Sequence, residues 1–136
     1  MYTAVVLDDR SCRELVERLA NVEGWTGDGY RYETPAGASL PHHMTVNLGP
    51  FDSTLNDPKA TEGFVALLVD AFCWDDEKGV CAARVTDPPV KSTNAQPHVT
   101  MCLRPGAKPV ASNHLDWSRA VPLTPPLVVR GVVREC

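Results

Sequence analysis

Two hexapeptides hold the residue types most able to do chemistry. His43-Met44-Thr45-Val46-Asn47-Leu48 and His98-Val99-Thr100-Met101-Cys102-Leu103 share one pattern: histidine, apolar, threonine, apolar, small or polar, leucine. Imidazole, with an ordinary pKa near 6.5, serves as base or acid at neutral pH, and such proton transfer contributes ~10²–10⁴-fold to a rate. Threonine hydroxyls are neutral donors suited to phosphate oxygens. A base, an acid and two donors are what a displacement at phosphorus needs.

Both hexapeptides read as strands. Side chains alternate along a strand, so His43, Thr45 and Asn47 are expected on one face and Met44, Val46 and Leu48 in a core. The same alternation sets His98, Thr100 and Cys102 against Val99, Met101 and Leu103. Each strand then offers an imidazole and a hydroxyl roughly 7 Å apart on one face. Two such strands side by side would gather two histidines and two threonines around one point.

The rest of the chain must supply that juxtaposition. Residues 2–7 (YTAVVL) are β-branched and aromatic, as in a strand. Ser11 and Glu14 make a capping box for a helix whose apolar face is Leu15, Val16, Leu19 and Ala20, with Gly24 as its stop. Residues 24–41 hold four glycines, two prolines and Trp25, Tyr30 and Tyr32, which predicts a long loop. Its aromatics either stack on a base or lie partly buried over the core. The apolar runs 64–74 and 80–85 flank DDEKG and predict a hairpin. A short helix over 108–115 and a strand over 127–135 complete the order β-α-β-β-β-β-α-β, an α+β chain with mostly antiparallel neighbours.

Other polar residues are weaker candidates. Lys91, Ser92, Thr93 and Asn94 precede the second motif, where a cation and small donors could hold a phosphate or base; a solvated loop explains them equally well. Arg104 and Lys108 flank Gly106 before a helix start, a place for an anion or simply a surface turn. His42 should face away from His43, and His114 reads as a helix-surface residue. A zinc set of His42, His43, His98 and Cys102 is disfavoured because adjacent strand residues diverge. Cys102 as a nucleophile requires the strand to stay regular.

Composition narrows the class. The 136 residues suffice for one domain, 1–136, that buries roughly two thirds of its unfolded surface. A net charge of −4 argues against gripping long nucleic acid through its phosphates. Five scattered cysteines without a CxxC pair describe reduced thiols. With no leader and no long apolar run, the expectation is a cytoplasmic protein without membrane association.

Paired His-x-Thr strands in a small α+β chain resemble the two-histidine (2H) phosphoesterase superfamily. The stretch VTDPPVKSTNAQPHVTMCLRPGAKPVASNHL is similar to the cyclic phosphodiesterase domain of fungal and plant tRNA ligases. The resemblance covers most of the chain from about residue 40. It implies a bilobal fold of two antiparallel sheets flanking a central cleft, with helices outside, and metal-independent, cofactor-free hydrolysis of 2′,3′-cyclic phosphates on RNA ends or small nucleotides. His43, Thr45, His98 and Thr100 carry over as catalytic residues; Lys91, Ser92, Asn94 and Arg104 are the substrate-binding candidates read from the chain itself. His98 is assigned as base and His43 as acid, although the sequence does not break their symmetry. The implied partners are an RNA 3′ end or small cyclic nucleotide, with RNA ligase or kinase partners for a monomeric enzyme. The alternatives are hydrolysis of signalling cyclic oligonucleotides and a non-catalytic module that binds nucleotides or RNA ends.

Overall fold

The computed structural model describes residues 1–136. Strand β1 (Tyr2–Leu7) leads into helix α1 (Asp9–Ala20), followed by β2 (His43–Leu48), β3 (Val65–Asp75), β4 (Val80–Thr86), β5 (His98–Leu103) and β6 (Val121–Glu135). Short 3₁₀ turns lie at Pro58–Thr61, Pro109–His114 and Trp117–Arg119. The expected short helix over 108–115 is the second of these turns.

Helix α1 is capped one turn earlier than the capping box predicts. The Asp8 carboxylate accepts from Ser11 N at 2.8 Å, so Asp8 is the N-cap. Ser11 is buried inside the helix, and its Oγ accepts from Arg130 N on β6 at 2.8 Å. Glu14 pairs instead with Arg10. Leu15 and Leu19 are fully buried, as their spacing requires. The helix closes at Asn21, before Gly24.

The strands form one closed antiparallel barrel in the order β1-β2-β5-β4-β3-β6, rather than the two separate sheets expected. The physical reason is β6, which is long enough to pair with two strands. Its residues 121–131 run along β3 and its residues 131–135 along β1. It begins at Val121 rather than at residue 127, because Val121 and Pro122 pair with Phe72 and Ala71. Gly131 sits where β6 passes from one neighbour to the other, and a Cβ there would overlap the Val6 carbonyl. The absence of a side chain permits the close approach that closes the barrel.

The main core fills the barrel with residues from every strand, including Met44 and Val46 of β2 and Val99 and Met101 of β5, together with Leu15 and Leu19. A second cluster of Leu40, Cys73, Val80, Ala82, Leu103 and Leu115 holds the Pro109–His114 turn and the end of the 24–41 loop against the barrel wall. That loop is irregular, tied by Arg31 pairing with Leu103 and Glu33 with Ser39. Trp25 packs on Tyr30 and Trp74 with centroids 4.8 and 5.2 Å apart, the core-covering reading for Trp25 and Tyr30, whereas Tyr32 is exposed. No helix is long and apolar enough to cross a membrane. All five cysteines are free thiols.

Candidate active site

Strands β2 and β5 are neighbours joined at one antiparallel pair, Met44 opposite Val99. Extending that register by one residue sets His43 across from Thr100 and Thr45 across from His98. Met44 and Val99 point inward and are fully buried, so the histidines and threonines project from the outer wall. All four line a single cleft of about 460 Å³. The wall opposite them is the Pro109–His114 turn, which contributes Pro109, Val110, Ser112 and Asn113.

Alternation ends in both strands one residue after the threonine. The β1–β2 register slips between Thr3 and Ala4, leaving Val46 as the extra residue. The β4–β5 register slips between Cys81 and Ala82, leaving Met101 as the extra one. These matching bulges bend the strands and turn the following residues. Asn47, expected beside Thr45, is instead buried and donates to the carbonyls of Leu48 and Pro50 at 2.8 Å each. Leu48 turns outward to line the cleft, 83 % exposed. Cys102, expected beside Thr100, lies in the barrel core, where burial leaves it neither a nucleophile nor part of a zinc set. No group of three or more His, Cys, Asp or Glu residues is placed to hold a metal ion.

The structure breaks the symmetry of the two imidazoles. His98 Nδ1 lies 2.7 Å from the Gln96 carbonyl, which can only accept, so Nδ1 carries a hydrogen. Neutral His98 therefore has a bare Nε2, the form a general base needs. Nε2 lies 2.9 Å from Ser112 Oγ, which is also 3.1 Å from Thr100 Oγ1 and 2.7 Å from the Pro109 carbonyl. Rotation of that hydroxyl serves either state: it donates to neutral His98, or accepts from imidazolium while donating to Pro109. Burial pushes the His98 pKa down, and the hydrogen bond to Gln96 pulls it partly back.

His43 is held differently. Its Nδ1 lies 3.0 Å from Nδ1 of His42, and the two rings meet edge to face. Burial, then the neighbouring His42 and His98, push its pKa down to about 4. Tyr2 packs against its ring at 5.0 Å. His42, which precedes the first residue of β2, lines a different cavity from His43, yet its ring still reaches the His43 ring.

The supporting residues divide. Asn94 and Thr93 line the cleft. Ser92 is structural: its Oγ donates to the Thr45 carbonyl and accepts from Asn94 N. Lys91 is exposed, and its backbone is clamped at both ends by Asn56 at 2.7 and 2.9 Å. Arg104 lies outside the cleft, bonded to Asp76 and stacked on Tyr30, in a separate hollow of about 220 Å³ with Arg31 and Glu33. His114 is exposed on the wall turn, and Lys108 precedes that turn without a side-chain cap. Ser112 and Asn56 had no sequence signal, since one sits on a 3₁₀ turn and the other in a loop far from either motif.

No family model, curated protein or solved structure matches the chain. Its chemistry is therefore read from the cleft itself.

Proposed function

We propose that the chain is a metal-independent phosphodiesterase that opens 2′,3′-cyclic phosphates on small nucleotides or RNA ends. The observation that carries this reading is the crossed arrangement of His43-x-Thr45 and His98-x-Thr100 around one cleft. In the proposed reaction the Ser112 hydroxyl turns from His98 Nε2 to the Pro109 carbonyl, and Nε2 takes a proton from water as the water oxygen attacks phosphorus. The bond from phosphorus to one ribose oxygen breaks, and His43 gives that oxygen a proton. Thr45 and Thr100 donate to the non-bridging oxygens, whose charge grows in the transition state.

The lining also speaks to substrate size. No lysine, arginine, aspartate or glutamate faces the cleft, and Tyr2, Leu40, Leu48, Pro109 and Val110 make it partly apolar. Neutral donors suit the single charge of one cyclic phosphate, with a nucleobase against the apolar rim. A cyclic oligonucleotide carries several phosphates and calls for cations, so it fits less well.

His43→Ala and His98→Ala variants test the reading. Each should lower turnover of 2′,3′-cyclic AMP by about 10²-fold or more while melting cooperatively. Full activity in either variant overturns the assignment. Tight calorimetric binding with no product would assign the cleft to recognition instead.

A further inference from the structure

His42 is the third imidazole of the site, and it stands outside the cleft. Its ring lines a second cavity of about 520 Å³ between α1 and the end of the 24–41 loop. The charged and titratable groups facing it there are Asp9, Cys12, Arg13 and Glu17 of α1. Its backbone is pinned to β1, where Leu7 N donates to the His42 carbonyl at 2.9 Å. The ring is exposed to solvent, yet its Nδ1 reaches Nδ1 of His43 at 3.0 Å. From the cleft, His43 is faced by Tyr2 of β1 and His98 of β5. His43 Nε2 has no hydrogen-bond partner in the protein, and it is the nitrogen left for a substrate.

Resting on the phosphodiesterase reading, we propose that His42 is a proton-relay residue that acts through His43, carrying a proton from solvent to the leaving oxygen. The relay begins with a proton on each nitrogen of His42 and with the His43 hydrogen on Nε2. As the phosphorus–oxygen bond breaks, His43 Nε2–H passes to the ribose oxygen and His42 Nδ1–H passes to His43 Nδ1. His43 is neutral before and after, and His42 ends neutral with its hydrogen on Nε2. The proton that His98 took from water returns to solvent; His43 Nε2 then takes one from solvent as its Nδ1–H returns to His42 Nδ1, which restores both starting tautomers and balances protons over the cycle.

The relay resolves a difficulty in the site. With a pKa of about 4, only roughly a thousandth of His43 is imidazolium at neutral pH, too little for an efficient acid. Passing a hydrogen in at Nδ1 while one leaves at Nε2 spares His43 from carrying net charge in a partly buried place. The arrangement also separates the roles of the two motif histidines. His98 Nδ1 meets a carbonyl that cannot give a proton, whereas His43 Nδ1 meets a group that can.

The test compares substrates that differ in their need for an acid. Glutamine at position 42 can still donate a hydrogen bond to His43 but cannot pass a proton on. His42→Gln should lower kcat for 2′,3′-cyclic AMP by about 10²-fold with KM little changed, while its loss on bis(4-nitrophenyl) phosphate stays below about tenfold, because nitrophenolate leaves unprotonated. Nitrogen-15 NMR of the resting protein should show hydrogen on Nδ1 of His42 and none on Nδ1 of His43. An active wild type with wild-type-like His42→Gln, equal losses on both substrates, or reversed tautomers overturns the relay alone. A wild type that turns over neither substrate overturns the phosphodiesterase reading and the relay with it.

Discussion

Met44 of β2 lies directly opposite Val99 of β5, and this is the one pair at which the two histidine strands are joined. Both side chains are buried in the barrel, so the residues on either side of each must face out. The pair sets His43 against Thr100 and His98 against Thr45. The bulges at Val46 and Met101 then end the polar face after one histidine and one threonine per strand. The site is thus confined to four side chains by the register of a single pair.

Replacing the threonines by valine, which has nearly the same shape, isolates the hydroxyls. Thr45→Val should lower kcat about 10²-fold, as loss of a transition-state donor does. Its stability should change little, because Thr45 Oγ1 has no hydrogen-bond partner in the protein. Thr100→Val should show a similar loss of kcat and also melt earlier, since Thr100 Oγ1 bonds to Ser112. Steady-state kinetics beside thermal unfolding checks both.

Ser112 ties the wall turn to the barrel and is 1 % exposed. Ser112→Ala leaves His98 Nε2, Thr100 Oγ1 and the Pro109 carbonyl short of a partner, at a cost of about 1–3 kcal/mol. Its kcat should fall less than that of His98→Ala, because the serine positions the base without replacing it. Urea unfolding with unchanged slope and a lower midpoint is the expected result.

Stability should depend on pH in a defined window. His43 and His98 both have folded pKa values below their ordinary value of 6.5, His43 at about 4. Between those limits the unfolded chain binds more protons than the folded one, so acid favours unfolding. Their contribution is full above 6.5 and is lost progressively as pH falls toward 4. The lowered carboxylates of Asp8 and Asp75 add their loss only below the ordinary aspartate value of 3.8. Melting temperatures should therefore fall between pH 6.5 and 4, and His43→Gln, neutral throughout, should flatten that slope.

Gly131 tests the closure of the barrel. Alanine there forces its methyl onto the Val6 carbonyl, and relief requires β1 and β6 to part. Gly131→Ala should destabilise the protein by about 1–3 kcal/mol or more, as overpacking does. Denaturant unfolding provides the measurement.

The sequence carried much of this arrangement because alternation is a local property. The six strands, the helix after β1 and the hairpin of β3 and β4 follow from short apolar patterns. The outward face of His43, Thr45, His98 and Thr100 follows from the same alternation. What alternation cannot express is a change of register, and so the bulges just before Asn47 and Cys102 carry both residues off the face that alternation assigns them. Partnerships across long separations were equally illegible. Ser112 reaches His98 from another element, Asn56 holds Lys91 across a loop, and β6 meets both β1 and β3. Alternation separates His42 from His43, as their different cavities do, but cannot show that the two rings touch.

The most direct measurement is phosphorus NMR of 2′,3′-cyclic AMP incubated with the protein in EDTA, beside a His43→Ala/His98→Ala double variant. The crossed pairs predict conversion to a single adenosine monophosphate by the wild type alone, with the product's shift naming the ester bond that breaks. No conversion, or conversion that survives the double substitution, would contradict the account.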